Sequence, residues 1–480
     1  IENNRIKHEL PDNKGIHPLV NTMLCTIEHA FRPEYKGGFD VVIGNPPYVP
    51  TEYISSEDKI YLEKNYISAF GRINLYPIFY ERGLTLLLPN GLLGFITPYT
   101  ILKNQYYKEA RRYIIENSRI LELVDFKGVS VFQDAAVDSI ILILKKEIES
   151  AYEFKQVSHI VSFENQQYQT DYFNVKEIEK RDDLSMLISE NDGLIEKINQ
   201  NTTKLKDILN FNQGIITGGN SKFLTAQKSD LTKKIITGSD FNRYSLNYSN
   251  QLIIYDTALL HRPRKREIFE AKEKIVLRQT GAYPVCTIDT EQYYTLDTVH
   301  NGILIDNNFN LKYLLSLLNS KLIRFLYESS INEAGKVFAQ VKIIYVDPLP
   351  IKNISLSDQQ PFIALADQML SLNADLQAKR QRFLKRLSDN INKGACPLVI
   401  TGTLEHFDEL EFKQFLAELK KQKIALSLKQ QDEWEEYFNE YKTECCNFAR
   451  QIDETDKEID RMVYELYGLT EEEIKIVENK

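Results

Sequence analysis

The fold of the N-terminal region is decided by one stretch of sequence, Phe39-Asp40-Val41-Val42-Ile43-Gly44-Asn45-Pro46-Pro47-Tyr48. Its first five residues are mostly β-branched and apolar, which predicts a buried strand that ends at Gly44. The two prolines have a fixed φ and no N–H, so the chain cannot continue there as helix or central strand. Asn45 precedes a proline and is therefore held in an extended conformation. We expect a stiff loop at the carboxyl end of a strand, which is where open α/β sheets bind ligands.

The loop also carries suitable chemistry for binding a base. Asn45 offers a carboxamide oxygen, and the carbonyl of Pro46 meets no competing N–H from Pro47. Tyr48 adds a flat aromatic ring. Two acceptors and a stacking ring suit an extruded base that has an exocyclic amino group. The alternative is a purely structural turn, but a strand followed directly by Asn-Pro-Pro-Tyr favours the functional interpretation.

The segment 38–49 resembles the Asn-Pro-Pro-Tyr motif of amino-methylating DNA methyltransferases. It is most similar to the gamma-type, TaqI-like N6-adenine group and to fused type IIG restriction–modification enzymes. The resemblance implies methyl transfer from S-adenosyl-L-methionine to adenine in double-stranded DNA. It further implies catalytic roles for Asn45, Pro46 and Tyr48, and cofactor contacts from Asp40, Asn45 and Phe79.

Alternating elements follow the loop. Patterns of spacing predict helices over 74–88 and 104–117, with strands at 92–97, 120–126 and 137–144. This alternation indicates an α/β fold, the C-terminal portion of a doubly wound Rossmann-like sheet. By the same resemblance, Phe132 would stack on the flipped base opposite Tyr48. Simple core packing is the competing interpretation for Phe79, and a loop aromatic tucked into the sheet is the competing interpretation for Phe132.

Composition sets broad limits on the class of protein. The 480 residues carry a net charge of -9, with 43% hydrophobic and 26% charged residues, which is typical of an ordinary globular protein of two to four domains. No apolar run approaches membrane-spanning length, so we expect a cytoplasmic protein with no membrane partner. The five cysteines show no metal-ligand spacing, and we expect no metal site.

Charge is distributed unevenly among four predicted regions. We assign 1–150 to a partial methyltransferase domain and 151–204 to a connector with one helix near 183–200. A β-rich target-recognition domain is predicted at 205–355, and a long helical region at 356–480. The third region holds 19 Lys/Arg and 14 Asp/Glu, a difference of +5, whereas the fourth holds 17 and 25, a difference of -8. The third region is therefore the natural phosphate-facing part.

Basic residues of the third region are the candidates for DNA contact. The densest group lies within 261–266, a run rich in donors for phosphate oxygens. A solvated loop is the alternative interpretation of such a run. The region resembles the recognition domain of TaqI-type enzymes, and its predicted DNA-binding residues are Lys222, Arg243, Arg262, Arg264, Lys265, Arg266 and Arg278.

One departure from the family concerns the cofactor. Residues 1–38 contain no Gly-x-Gly loop of the kind that binds S-adenosylmethionine. We therefore expect this chain to be the C-terminal part of a longer enzyme, with a cofactor half-domain and possibly a nuclease before it. The isolated chain would then bind DNA weakly, with a steep salt dependence, and would not methylate.

Two other classes of function stay open. The first is a non-catalytic DNA-binding specificity module of a larger restriction enzyme. The second is endonuclease activity, which we reject for this chain because Pro11–Lys14 lacks the second carboxylate of a nuclease metal site. The same loop also occurs in methylases of RNA and of protein glutamine, but the recognition-like region favours DNA.

Overall fold

The chain divides into two compact units, Ile1–Ser189 and Glu190–Lys480. A computed structural model describes residues 38–127, 129, 131, 138–163, 165–186, 191–331, 340–391 and 398–479. Within these ranges no helix combines the length and the apolar composition needed to cross a bilayer.

The first unit is built on one mixed sheet, with helices between several of its strands. Its elements are β1 (Phe39–Gly44), α1 (Ser56–Asn65), α2 (Leu75–Leu86), β2 (Leu87–Pro98), α3 (Lys108–Asn117), β3 (Arg119–Asp125), β4 (Ser139–Lys145), β5 (Glu153–Ser162), β6 (Gln167–Asn174) and α4 (Val175–Glu179). The predicted helices and strands of 74–144 are all present, with boundaries shifted by a few residues. The α/β class predicted from the sequence is therefore confirmed for this unit.

The six strands of this sheet have the order β1-β2-β4-β3-β5-β6. β1 is parallel to β2, and β3 is parallel to β5, whereas β4 runs antiparallel between β2 and β3. An antiparallel neighbour needs no crossover helix, which suits β4 because no helix is found between it and β3 among the described residues. The carboxyl ends of β1, β2 and β3 consequently meet at one edge of the sheet.

The region predicted as a connector contributes to this same sheet. β5 pairs with β3, and β6 pairs with β5 from Glu153 to Ser162. β6 is polar because it is the outer strand and most of its side chains are exposed or half-buried. Residues 151–174 are therefore part of the sheet, and the polarity that suggested a connector reflects an edge strand. The predicted helix near 183–200 corresponds to α5 (Asp192–Asn199) of the second unit.

The second unit is a β-rich part followed by helices. Its strands are β7 (Thr202–Lys204), β8 (Leu209–Gln213), β9 (Leu224–Thr225), β10 (Thr232–Ile236), β11 (Phe241–Asn242), β12 (Ser245–Leu246), β13 (Leu252–Ile254), β14 (Lys274–Arg278), β15 (Cys286–Asp289), β16 (Tyr294–Thr295), β17 (Val299–Leu304) and β18 (Pro350–Lys352). Two four-stranded sheets, β15-β14-β17-β8 and β16-β10-β13-β9, form its framework.

Helices complete this unit. They are α6 (Asn220–Phe223), α7 (Arg266–Phe269), α8 (Leu311–Leu318), α9 (Lys321–Ser330), α10 (Ile343–Val346), α11 (Gln360–Ile391), α12 (Gly402–Glu405), α13 (Phe412–Lys421), α14 (Leu428–Tyr467) and α15 (Glu471–Val477). The amphipathic spacing of residues 311–327 predicts a single helix, but the structure has two helices there. Ser320 interrupts it, because its hydroxyl accepts a hydrogen bond from the Ile323 N–H and so caps a new helix. The long helices α11 and α14 pack on each other, and both contribute to an aromatic core that includes Phe383 and Phe438.

Candidate active site and nucleic-acid interface

The Asn-Pro-Pro-Tyr loop follows β1 directly, as the sequence predicts, but the prediction that β1 is buried is wrong for the described residues. β1 is the outer strand of the sheet there, and its apolar side chains Val41 and Ile43 are exposed. Asn45 and Pro47 are exposed, Pro46 is buried, and Tyr48 is half-buried. The Tyr48 hydroxyl donates a hydrogen bond to the carbonyl oxygen of Ile96 in β2, at 3.3 Å. One end of the loop is thus attached to the neighbouring strand, while the carboxamide of Asn45 faces solvent.

Two tyrosine–threonine pairs support the loop from α2. The ring of Tyr48 meets the ring of Tyr76 edge-on, with centroids 5.8 Å apart and an interplanar angle of 75°. The Tyr76 and Thr100 hydroxyls lie 2.8 Å apart, and the Tyr80 and Thr97 hydroxyls lie at the same distance. α2 is therefore tied to the carboxyl end of β2 through two side-chain hydrogen bonds.

Sequence analysis did not single out these supporting residues. A signal for them exists, since Tyr76 and Tyr80 are four residues apart on one helical face and Thr97 and Thr100 are three apart after a strand. Burial raises the pKa of Tyr48, and it raises the pKa of Tyr76 well above its usual value. Both hydroxyls therefore stay protonated and available as donors.

Polar groups from three strands converge at this edge. Thr97 of β2 and Asp125 of β3 are both paired with Ile140 of β4, one on each side of it. Asp125 is buried, which raises the pKa of its carboxyl group, and it accepts a hydrogen bond from the Lys127 N–H at 2.9 Å. An exposed carboxamide, a threonine and a buried carboxylate thus occupy the carboxyl ends of β1, β2 and β3.

The predicted cofactor residues do not all come together. Asp40 is exposed near the start of β1, and four residues of extended chain separate it from Asn45, so that the two Cα atoms are roughly 16 Å apart. Phe79 lies on α2 and is 40% exposed. It follows Leu75 by about one helical turn, and the Leu75 N–H donates a hydrogen bond to the Val49 carbonyl at the end of the loop. The cofactor contacts of Asn45, Phe79 and Asp40 stay predictions, and Asp40 lies at the opposite end of β1 from the loop that carries Asn45. The predicted stacking residue Phe132 lies outside the described residues.

The seven predicted DNA-binding residues fall into two groups in the second unit. Lys222, Arg262, Lys265 and Arg266 are exposed. The loop that carries Arg262 is held beside the segment 214–219, because the backbones of Ile216 and Arg262 exchange two hydrogen bonds. These cations are exposed enough to reach phosphate oxygens, although the guanidinium of Arg266 also lies over the ring of Tyr255, 5.5 Å from its centroid.

The other three arginines are engaged within the protein. Arg243 forms an ion pair with Asp456 of α14, with Nη1–Oδ2 and Nη2–Oδ1 distances of 3.1 and 2.5 Å. Arg278 donates to the Phe241 carbonyl and to Asn242 Oδ1. These contacts occupy part of each guanidinium, although the Nε atom of each is buried without a hydrogen-bond partner, and they argue against the prediction that Arg243 and Arg278 bind DNA. The guanidinium of Arg264 is also engaged, by Gly214 and Gln213.

One further cation of this region is fully internal. Lys274 and Asp289 form an ion pair at 2.5 Å in which both side chains are inaccessible to solvent. The Lys274 ammonium also donates to the Phe269 carbonyl, and Asp289 accepts from the Tyr293 N–H. Lys274 contributes to the positive sum of 205–355 but cannot contact a ligand. Within the residues that the structure describes, no group of three or more His, Cys, Asp or Glu side chains is arranged to hold a metal.

Known protein families match three segments of the chain. Residues 2–132 match the Eco57I restriction-modification methylase, residues 233–351 match the TaqI-like C-terminal specificity domain, and residues 355–463 match a domain of unknown function. The chain thus carries a methylase region and a specificity region of type II restriction–modification enzymes, in a type IIG context. This confirms the resemblance that the sequence motif predicts.

Individual relatives agree with this class. The type II restriction enzyme and methyltransferase RM.Eco57I of Escherichia coli is 34% identical over 123 residues, which cover 25% of this chain and 12% of the relative. The type II methyltransferase M.BstVI of Geobacillus stearothermophilus is 38% identical over 96 residues, or 20% of this chain and 17% of the relative. The putative type II restriction enzyme and methyltransferase RM.MjaORFECS2P of Methanocaldococcus jannaschii is 25% identical over 382 residues, 74% of this chain. The chain covers 31% of that last relative.

Proposed function

We propose that this protein is a site-specific DNA methyltransferase of a restriction–modification system that transfers a methyl group from S-adenosyl-L-methionine to the N6 amino group of adenine. The observation that carries the proposal is the position of Asn45. Its carboxamide is exposed at the carboxyl end of β1, on a turn fixed by Pro46 and Pro47 and attached to β2 through Tyr48.

The chemical problem is that an exocyclic amino nitrogen is a poor nucleophile, because its lone pair is delocalised into the ring. Acceptors at Asn45 Oδ1 and at the Pro46 carbonyl would each hold one N–H of the amino group. Together they favour a pyramidal nitrogen whose lone pair is free to attack. This is stabilisation of the transition state by fixed dipoles, which require no rearrangement during the reaction.

Tyr48 has a separate role in this proposal. Its ring is held by Ile96 and Tyr76 but is only half-buried, so part of its surface remains available to a base. Stacking there would offset part of the few kcal/mol needed to extrude a nucleotide. S-Adenosyl-L-methionine would supply the methyl group, and Asn45 and Phe79 are the described residues placed to contact it.

Adenine is favoured over other acceptors by two observations. The loop resembles that of the N6-adenine group, and the specificity segment at 233–351 matches the TaqI-like domain. The exposed cations Arg262, Lys265 and Arg266 support a DNA substrate, because phosphate contacts supply most of the non-specific affinity for a duplex.

A second candidate is a specificity module without catalysis of its own. The observation that favours it is the distance between Asp40 and Asn45, which leaves the described cofactor contacts incomplete. Calorimetric titration with S-adenosyl-L-methionine distinguishes the two candidates. Binding that depends on Phe79 supports the methyltransferase, and an absence of binding supports the module.

The function is tested by incubating the full-length protein, and separately the 480-residue chain, which we expect not to methylate by itself, with S-adenosyl-L-methionine carrying a tritiated methyl group and with mixed-sequence duplex DNA. The DNA is then digested to nucleosides. We expect label in N6-methyldeoxyadenosine, and no label when Asn45→Ala replaces the wild type. Label in N4-methyldeoxycytidine would overturn the assignment of adenine, and no incorporation by a protein that still selects a DNA sequence would favour the second candidate.

A further inference from the structure

Arg264 differs from its neighbours in the basic loop. Its φ is +65°, in the left-handed region that side chains other than glycine rarely adopt. Arg262 and Lys265 are exposed, whereas Arg264 is half-buried, and its guanidinium donates to the Gly214 carbonyl through Nε at 3.2 Å. Such a backbone conformation persists where surrounding contacts impose it and is common at binding sites.

The guanidinium of Arg264 begins a chain of side-chain hydrogen bonds. Arg264 Nη2 donates to Gln213 Oε1 at 3.1 Å, and Gln213 Nε2 donates to Gln279 Oε1 at 3.2 Å. Gln213 Nε2 also lies 3.2 Å from the Asp297 carbonyl. We call Arg264, Gln213 and Gln279 the amide relay.

The direction of the amide relay is fixed by its first member. A guanidinium has only donors, so Gln213 must turn its oxygen towards Arg264 and its amino group towards Gln279. Gln279 must then turn its oxygen towards Gln213. Its Nε2 group is left with no partner within the described residues, and it is the polar atom that Gln279 can offer to a ligand.

Strand ends hold the amide relay in place. Gln213 ends β8 and pairs with His300 of β17, and Gln279 follows the last residue of β14, with its N–H donating to the Thr298 carbonyl at 2.9 Å. Gly214 allows this arrangement, because a Cβ there would lie 2.1 Å from the Leu296 carbonyl oxygen. The relay therefore sits on a rigid edge, as a site that discriminates between ligands requires.

The imidazole next to the relay is uncharged. His300 is buried, and that burial, together with the nearby Arg264, lowers the pKa of its imidazole to about 4. It is neutral at neutral pH. The relay thus presents one fixed amide donor beside a half-buried guanidinium, with the exposed Arg262 and Lys265 in the same loop as Arg264.

We propose that the amide relay reads a base edge in the major groove, with Gln279 as a specificity-determining residue that donates to guanine. This inference rests on the proposed function, which makes sequence-selective DNA the partner. Guanine presents two acceptors, N7 and O6, whereas the usual pairing of glutamine with adenine needs both the amide donor and the amide oxygen. The oxygen of Gln279 already accepts a hydrogen bond from Gln213, so only the amino group of Gln279 is available to the base. A base that presents acceptors is therefore preferred.

The relay also distinguishes two kinds of contact, one from the basic loop and one from the end of β14. Phosphate contacts position a protein on DNA but carry no sequence information, whereas base contacts specify. On this assignment Lys265 belongs to the first kind and Gln279 to the second. Arg264 is a positioning residue that fixes the orientation of both glutamines.

The test measures sequence preference directly and does not depend on methylation. The whole protein is incubated with randomised duplex DNA, and the bound fraction is sequenced. Wild type is expected to enrich a motif that contains guanine at a position read by Gln279. Gln279→Ala should lower the discrimination at one position by roughly 5- to 150-fold and leave the other positions unchanged.

Two further variants make the result specific. Gln279→Glu replaces the donor by acceptors, and it should shift the preferred base at that position from guanine to cytosine, whose N4 amino group is a donor. Lys265→Ala is the matched control, expected to keep the motif while weakening binding to all sequences equally. Melting temperatures of all variants confirm that the protein is folded.

The outcomes distinguish this inference from the proposed function. An unchanged motif in both Gln279 variants would overturn the inference and leave the proposed function standing. Equal loss of binding to all sequences in folded Gln279 variants would also overturn it, because that is the behaviour of a phosphate contact. A wild-type protein that enriches no motif would overturn both.

Discussion

The Asn-Pro-Pro-Tyr loop of the first unit and the basic loop of the second were both predicted from a few consecutive residues, and the structure treats them differently. In the first loop Asn45 is exposed and Tyr48 is anchored to β2, as a stiff base-binding turn requires. In the second loop, the side chains of residues 261–266 differ in their environment. Arg262 and Lys265 are exposed, whereas the guanidinium of Arg264 donates hydrogen bonds to Gly214 and Gln213 at the end of β8.

The difference shows how much of the local structure a proline fixes and how much a charged residue fixes. Proline restricts its own backbone and that of the residue before it, so the shape of the first loop is fixed within the loop. A positive charge restricts nothing locally. Whether it faces a phosphate depends on which carboxylates and carbonyls approach it in the folded chain, as Arg243 and the distant Asp456 show.

The largest expected effect concerns a cation that never reaches the surface. Lys274→Met leaves Asp289 buried without its charge partner, and it should lower the free energy of unfolding by about 3–5 kcal/mol. Urea denaturation measures the change. Lys272→Met, at an exposed position two residues earlier, is the control and should change stability by less than about 0.5 kcal/mol. Equal stabilities for the two variants would contradict the internal role of Lys274.

The second prediction tests the proposed catalytic role of the Asn-Pro-Pro-Tyr loop with a variant that should still fold. Asn45→Ala should reduce the rate of methyl transfer by about a hundredfold or more, because one of two fixed acceptors for the amino group is lost. Its melting temperature should match that of wild type, since Asn45 is exposed. Asn65→Ala, at an exposed position at the end of α1, serves as the control. Turnover near the wild-type rate in Asn45→Ala would remove Asn45 from the active site.

The third prediction separates the two groups of cations. Arg243→Ala should lower stability by about 1–2 kcal/mol, since its ion pair with Asp456 is partly exposed, and should leave the salt dependence of DNA binding unchanged. Lys265→Ala should do the reverse. Its stability should stay within about 0.5 kcal/mol of wild type, while the slope of log affinity against log salt falls by about 0.9. A lower slope for Arg243→Ala would restore it to the DNA-binding set.

The smallest expected effect concerns the hydrogen bond between Tyr80 of α2 and Thr97 of β2, close to the Asn-Pro-Pro-Tyr loop. Tyr80→Phe removes the hydroxyl that meets Thr97 in the buried interior, and it should cost about 1 kcal/mol of stability. Tyr53→Phe, at a side chain that is 82% exposed, should be neutral. Thermal or urea unfolding of the pair decides the question, and identical midpoints would show that this hydrogen bond does not stabilise the unit.

Backbone pairing and helix capping account for the places where hydrophobic patterns predict the wrong element. β6 was assigned to a connector because it is polar, yet its backbone completes the sheet by pairing with β5. The helix predicted over 311–327 is split at Ser320, since a serine favours a cap as readily as a turn, and periodicity does not register the interruption. Both errors arise from hydrogen bonds that a hydrophobic pattern does not encode.

The sequence by itself determined the strand β1, its rigid Asn-Pro-Pro-Tyr loop, the alternation of helix and strand up to β4, and the resemblance of the loop to that of amino-methylating DNA methyltransferases. These features depend on proline geometry and on local periodicity, which are properties of neighbouring residues. Only the tertiary structure decided that Arg243 is paired with Asp456, that Lys274 is buried, and that Gln213 and Gln279 meet. Each of these contacts joins residues far apart in sequence, and the energy of a charge or an amide depends on the partners that folding brings to it.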